Sequence, residues 1–239
     1  VSDADSHQPT ANGQGLFVTG TDTGVGKTRI ACALLRAYAA SGRRALGMKP
    51  VAAGAQRGAT GLSNEDAERL RTASNVDAPH ELINPYCFEP AIAPHLAAAE
   101  AGVAVELPRI VNAYANLRSR ADWIVVEGAG GFLVPIGSGL TMADVARALD
   151  LPVLLVVGIR LGCLNHALLT CDSIDRCGLA LAGWVANCID PGMPRLEQNV
   201  TALRERIAAP LLGIAAYDPA PDGSPALDFA VLGCTGAQG

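Results

Sequence analysis

Apolar residues in this chain fall into short continuous runs, and the segments between the runs carry helical periodicity. Leu16-Phe17-Val18 leads a run that stops at Gly20, and Arg44 to Met48, Trp123 to Val126, Leu151 to Gly158, Leu181 to Ala186 and Leu211 to Ile214 follow. Runs this short, without polar alternation, fit strands buried on both faces. Between them, Lys27 to Ser41, a stretch opening at Ser63, Leu107 to Arg120, Thr141 to Leu149, a stretch reaching Cys177 and one reaching Ala208 read as helices. Gly42 is placed to end the first, and Ser63 is expected to cap the second with Asp66 three residues on. Strands alternating with helices predict an α/β fold: a parallel sheet flanked by helices on both faces, with right-handed crossovers and its binding loops gathered on one edge.

Three stretches break the alternation. Residues 1–14 are polar and are expected to form a disordered leader before a single domain spanning 15–239. Between Asp77 and Pro94 the prolines exclude a long helix or a central strand, so an ordered loop over the sheet edge is expected. From about residue 218 the chain is rich in proline, glycine and alanine and reads as irregular and partly mobile.

Composition narrows the function by exclusion. The 239 residues are half apolar, enough for one large core, and the net charge is −5 with no block of Lys and Arg. There is thus no electrostatic footprint for nucleic acid or an anionic membrane. No apolar run approaches the roughly 18 residues a membrane span needs. The seven cysteines are odd in number and lack any C-x-x-C pair, which fits reduced thiols in a cytoplasmic protein.

The candidate chemistry begins where the first strand stops. Thr19-Gly20-Thr21-Asp22-Thr23-Gly24-Val25-Gly26-Lys27-Thr28 joins that strand to a helix, and a helix start presents free N–H groups and a positive dipole end. Gly24, Val25 and Gly26 can turn their amides inward, Lys27 can reach the outer phosphates, and the Thr28 hydroxyl can ligate Mg²⁺: a nucleotide triphosphate cradle. The pattern G-x-x-x-x-G-K-[ST] asks for glycine at position 21, and Thr21 stands there, so the loop is a longer variant.

Other polar residues close apolar runs. Lys49 follows the second strand, on the edge where open α/β sheets bind ligands, or is a solvated surface lysine. Glu127 ends a central strand, where a carboxylate is costly unless it meets a partner such as Mg²⁺. Asp66 is either only a capping carboxylate or a functional one. Leu161-Gly162-Cys163-Leu164-Asn165 turns into a helix whose start suits a carboxylate or phosphate, although Asn165 could be a plain cap. Asn187 closes a strand where an amide could read a base. His80 and His95 lack a partner at ligand spacing and read as structural.

Taken in order, the loop from 19 to 28, Lys-Pro-Val (49 to 51), Asn-Glu-Asp-Ala (64 to 67), Asn-Pro-Tyr (84 to 86), Ala-Pro-His (93 to 95), Val-Glu-Gly-Ala-Gly-Gly (126 to 131), Leu-Gly-Cys-Leu-Asn-His (161 to 166) and Gly-Trp-Val-Ala-Asn (183 to 187) closely resemble the dethiobiotin synthetase family. The resemblance covers about residues 16 to 214. It implies a P-loop NTPase-like fold and an ATP- and Mg²⁺-dependent ligase of biotin biosynthesis. Such a ligase closes a cyclic urea from 7,8-diaminononanoate and CO₂, releasing ADP and phosphate. One amine captures CO₂ as a carbamate, the γ-phosphate activates it as a mixed anhydride, and the second amine closes the ring.

The resemblance also assigns roles. Thr23, Gly24, Val25, Gly26, Lys27 and Thr28 would hold the nucleotide, with Lys27 on the γ-phosphate and Thr23 close to the transferred group. Thr28, Asp66 and Glu127 would bind Mg²⁺, Lys49 would steady carbamate and γ-phosphate, and Asn187 would recognise adenine. Lys49, Ala53, Glu127 and Gly130 would face the diamine, and Leu161, Gly162 and Asn165 would receive its carboxylate across a homodimer interface. Two positions depart from the family: Ala53 replaces a frequent small hydroxyl residue, and Gly24 replaces an acidic residue of some members. Beyond Ile214 the likeness is too weak to assign residues.

Two rival functions share the loop. A cobyrinate-type amide synthetase needs a glutaminase domain for which this chain has no room. A partitioning-type ATPase switch carries a lysine near the start of its loop, where Asp22 stands here.

Overall fold

The computed structural model describes residues 15–58, 61–218 and 225–233; the expected leader, 1–14, lies outside them. In chain order the elements are β1 (Gly15–Gly20), α1 (Lys27–Ala40), β2 (Ala45–Met48), β3 (Val51–Ala52), β4 (Gln56–Gly58), β5 (Gly61–Ser63), α2 (Glu65–Ala73), α3 (His80–Ile83), β6 (Tyr86–Cys87) and α4 (Pro94–Glu100). Then follow α5 (Leu107–Arg118), β7 (Trp123–Glu127), β8 (Pro135–Gly137), β9 (Leu140–Thr141), α6 (Met142–Leu149), β10 (Val153–Ile159), α7 (Cys163–Arg176), β11 (Leu181–Cys188), α8 (Leu196–Arg204), β12 (Leu211–Ala215) and a 3₁₀ turn, Ala230–Leu232.

Six strands form one sheet in the order β12-β11-β10-β1-β7-β2. Every pairing in it is parallel, as the continuous apolar runs require. Alternate residues of each strand serve opposite faces. Leu16 and Val18 pack with Ile30, Leu34 and Tyr38 of α1, whereas Phe17 packs with Ile110 and Tyr114 of α5 and with Val145 of α6. A third cluster fills the space between Val157 and Trp184 of the sheet and the helices α7 and α8. The central strand β1 is thus covered on both faces, and its C-terminal edge carries the loop into α1.

Local chemistry explains the boundaries and corrects two expectations. Gly42 adopts φ +80, and the Gly42 N–H donates to Ala39 O, which closes α1 as expected. Helix α2 is capped by Asn64, not Ser63: the Asn64 side chain accepts from the Ala67 N–H, and Ser63 belongs to the β4–β5 hairpin. The proline-rich stretch is more than a loop. Pro79 leads α3, Tyr86–Cys87 pairs with Val51–Ala52, and Pro94 opens α4, where its missing N–H costs nothing. After residue 224 the chain returns to the core, burying Phe229 and Leu232 beside α1, and Tyr38 donates its hydroxyl to Leu232 O at 2.9 Å.

Candidate functional site

The loop after β1 is fastened from below before it can hold anything. Thr21, the departure from the short pattern, continues β1: its N–H donates to Val156 O at 3.0 Å, and its hydroxyl accepts from the Gly158 N–H at 3.3 Å. Val25 is buried, and its methyls fill the space that side chains at Gly20 and Gly158 would need. Asn187, at the end of β11, donates Nδ2 to Val25 O at 2.8 Å. Gly24 and Gly26 take φ +73 and +90, a region that L side chains enter at a cost, and Gly26 starts α1 without a side-chain cap. That helix start is therefore free to cap itself on an anion.

Above the loop, five predicted residues meet. The Thr28 hydroxyl lies 2.8 Å from Asp66 Oδ1 and 2.9 Å from Glu127 Oε1. Lys49 Nζ donates to Asp66 Oδ2 at 2.8 Å and to Glu127 Oε1 at 2.6 Å. Lys27 Nζ bends back to donate to Asp22 O at 2.9 Å. Four elements supply the set: α1 gives Lys27 and Thr28, α2 gives Asp66, and the ends of β2 and β7 give Lys49 and Glu127. Asn64, not Asp66, caps α2, and the Asp66 carboxylate turns to Thr28 and Lys49 instead.

Burial sets the electrostatics. Glu127 is wholly enclosed, which pushes its carboxyl above the ordinary value despite the Lys49 charge. Burial works against the Lys49 ammonium too, but Glu127 and Asp66 outweigh it and hold the amine protonated. Desolvation also opposes the Asp66 charge, yet Lys49 and Thr28 keep that carboxyl below its usual range. Burial and the neighbouring Lys49 bring Lys27 down to about 8. The pocket thus holds two cations and two carboxylates within hydrogen-bonding distance of each other or of the loop.

Oxygen atoms outnumber protons here. One hydroxyl proton serves Thr28, Asp66 and Glu127, and Glu127 Oε2 is buried with no hydrogen-bond partner among the described residues. A hydroxyl, two carboxylates and an orphaned carboxylate oxygen suit a hard divalent cation. Among the described residues no group of three or more His, Cys, Asp and Glu converges that could hold a metal ion.

The remaining predicted residues sit around this centre. Gly130 takes φ +60, and a Cβ there would lie 3.4 Å from Thr23 Oγ1, so the glycine turn after β7 abuts the phosphate loop. Ala53 O accepts from Asn64 Nδ2 at 3.2 Å, at the N-terminal end of α2. Asn187 is buried beneath the loop, and its Oδ1 accepts from Arg29 at 3.2 Å. Leu161, Gly162 and Asn165 form an exposed turn at the start of α7, and no hydrogen bond among the described residues joins them to the buried cluster.

Several contacts were not legible in the sequence. Asp22 pairs with Arg160 at the end of β10 across the mouth of the loop. Arg29 reaches Ala216 O at 2.9 Å and lies 3.7 Å from Asp218, tying the chain after β12 to the loop helix. Asn84 bonds the backbone of Lys49. Asn84 had a signal, as part of the Asn-Pro-Tyr triplet, and Asp22 as part of the loop, but neither partner could be read.

A parallel α/β sheet with a glycine loop, lysine and hydroxyl at the start of its first helix defines a phosphate-loop nucleotide-binding protein. A family model described as AAA domain matches residues 14–222. Among solved structures, the septum site-determining protein MinD complexed with Mg-ADP from Pyrococcus horikoshii OT3 aligns with TM-score 0.54 over 86% of this chain and 82% of that one, at 16% identity, a likeness of fold alone. Sequence relatives are far nearer. The chain is 56% identical over 208 residues to the ATP-dependent dethiobiotin synthetase BioD of Aromatoleum aromaticum, covering 85% of this chain and 92% of that protein. It is 52% identical over 224 residues to the enzyme of the same name from Nitrosospira multiformis, covering 92% and 97%. The chain belongs to the ATP-dependent dethiobiotin synthetase family.

Proposed function

We infer that the protein is an ATP-dependent ligase that makes dethiobiotin in biotin biosynthesis, and that the cluster of Lys27, Thr28, Lys49, Asp66 and Glu127 is where it does so. One observation carries the site assignment: the phosphate loop opens onto a buried ammonium, Lys49, held by two carboxylates. A hydrolase needs room for water at that point, and a ligase needs a cation to share between two anions.

In this reading Gly24 to Thr28 cradle the triphosphate, and Lys27 leaves the Asp22 carbonyl for the γ-phosphate. Mg²⁺, held by Thr28, Asp66 and Glu127, would neutralise phosphate charge. Lys49 turns from the carboxylates to the carbamate that one amine of 7,8-diaminononanoate forms with CO₂. A carbamate oxygen attacks the γ-phosphorus, ADP leaves with the bridging oxygen, and a carbamic–phosphoric anhydride results. The second amine attacks the anhydride carbonyl, phosphate leaves, and the nitrogen loses its proton as the urea ring closes. Negative charge grows on oxygens facing Lys49 and Lys27 throughout, so positioned cations supply the catalysis.

Thr23 sits beside the transferred group, Ala53 and Gly130 line the diamine, and Asn187 offers its second amide hydrogen to adenine while its first holds the loop. We further propose a cytoplasmic homodimer in which the exposed turn Leu161-Gly162 to Asn165 of one copy receives the substrate carboxylate of the other. Its support is that Leu161 is 91% exposed and Leu133, after the glycine turn, 58%.

The test is phosphate release measured beside dethiobiotin. The two should appear in equal amounts, and only with diamine, bicarbonate, Mg²⁺ and ATP together. Lys49→Ala should lower turnover about 100- to 1,000-fold while sparing Mg-ATP affinity. ATP turnover that ignores the diamine would instead favour a switch.

A further inference from the structure

The Asn84-Pro85-Tyr86 triplet has no part in the chemistry above, yet it lies against the residue on which that chemistry turns. Beyond β2, the edge of the large sheet, the chain from Ile83 to Pro90 runs alongside residues 49–55. The Lys49 N–H donates to Ile83 O at 2.8 Å, the Tyr86 N–H to Pro50 O at 3.2 Å, and the Phe88 N–H to Ala52 O at 2.8 Å. In a regular parallel ladder that starts with Lys49 N bonded to Ile83 O, the next bond to Lys49 O comes from the N–H of residue 85. That residue is proline and has no N–H.

The missing donor is replaced by a side chain. Asn84 Nδ2 donates to Lys49 O at 2.7 Å and to Tyr86 O at 3.0 Å. Asn84 is 3% exposed, and so is Lys49, so water does not compete for that carbonyl. Two carbonyl acceptors also fix the amide, because its oxygen cannot face either of them. The Lys49 peptide is thereby gripped on both sides, N–H by Ile83 and C=O by Asn84, directly beneath the ammonium that bridges Asp66 and Glu127.

We propose that Asn84 is a positioning residue for Lys49, its amide standing in for the backbone donor that Pro85 lacks. The proposal rests on the reading of Lys49 as the cation that meets carbamate and γ-phosphate. Both ends of that peptide set the direction from which the side chain reaches, and misplacement by an ångström is enough to slow a reaction that depends on positioning.

The experiment measures kcat, KM for the diamine, Mg-ATP affinity and melting temperature for Asn84→Ala, Asn84→Ser, Asn84→Ala/Pro85→Ala and Lys49→Ala. Asn84→Ala is expected to lose about 10- to 100-fold in kcat with KM and Mg-ATP affinity close to wild type. Asn84→Ser, with one donor, should fall between, and the double variant, which restores an N–H at position 85, should recover most of the loss. Wild-type kcat in Asn84→Ala, an equal fall in Mg-ATP affinity, or no recovery in the double variant overturns the proposal. Should Asn84→Ala fail to fold, the same split is read from Asn84→Ser. An inactive Lys49→Ala beside fully active Asn84 variants removes the clamp alone; a fully active Lys49→Ala removes the Lys49 reading and the clamp with it.

Discussion

Glu127 shows how a single buried carboxylate can be tolerated at a strand end. Its Oε1 faces the Lys49 ammonium and the Thr28 hydroxyl, while Oε2 is left without a partner among the described residues. An unpaired charge in such a place costs several kcal/mol, and half-pairing leaves the second oxygen for a cation. Glu127→Gln keeps the volume and removes the charge. We expect it to weaken Mg²⁺-dependent nucleotide binding about tenfold or more, read by titrating Mg²⁺ into protein with ATP. The melting temperature of the free protein should move little, because Lys49 keeps Asp66 at 2.8 Å. Unchanged Mg²⁺ dependence would move the ion elsewhere. Lys27, Thr28 and Glu127 stood out in the sequence, since each closes an apolar run or follows a glycine turn, whereas Lys49 read equally as a solvated surface lysine until the fold buried it. Asp66 was ambiguous there, because a carboxylate in the first turn of a helix has a bland use as a cap, and it is the fold that gives the cap to Asn64.

At the scale of elements, the junction of loop and helix is the most constrained part of the chain. A Cβ on Gly26 would lie 2.2 Å from Asn187 Nδ2, the atom that holds Val25 O, and would sit at φ +90. Gly26→Ala should therefore break the brace as well as strain the backbone. The expected result is loss of detectable ATP binding and a stability cost of about 1–3 kcal/mol, checked by nucleotide titration and by urea melts. Normal ATP binding by that variant would show that the loop can be held from elsewhere. The order of strands and helices could be read from apolar runs because burial on both faces writes itself into consecutive residues. The short elements could not: β3 and β6 are two residues each, and β8 and β9 form a hairpin of two- and three-residue strands, shorter than any period. The β8–β9 hairpin is fixed by a turn between strands too short to show alternation, and Tyr86–Cys87 by a partner distant in sequence, Val51–Ala52. The same holds for the Asp22–Arg160 pair, whose members lie on separate strand ends.

For the molecule as a whole, the two faces of the sheet are closed by groups that folding keeps neutral to higher pH than the unfolded chain does. Burial pushes the Cys32 thiol, on the α1 face, up to about 11, and the Tyr114 hydroxyl, beneath α5 on the other face, up to about 12. Each is an acid whose folded pKa exceeds its unfolded one, so the native state binds more protons than the unfolded chain once pH passes about 9. Stability is then fully present below that pH and falls as pH rises toward 12. Cys32 alone contributes about 2–3 kcal/mol over that window, and Tyr114 adds to it at the alkaline end. Lys27, brought down to about 8 from 10.5, works in the opposite sense between those values, so the two acids are read by difference: urea melts under reducing conditions should show wild type losing a few kcal/mol between about pH 9 and 11 relative to a variant that lacks them. Combining Tyr114→Phe with Cys32→Ala should flatten that fall. Tyr114→Phe by itself should not destabilise at pH 7, since the hydroxyl has no hydrogen-bond partner among the described residues. An alkaline limb unchanged in the double variant would place its origin in other groups and would mean that the two helix layers tolerate ionisation beneath them.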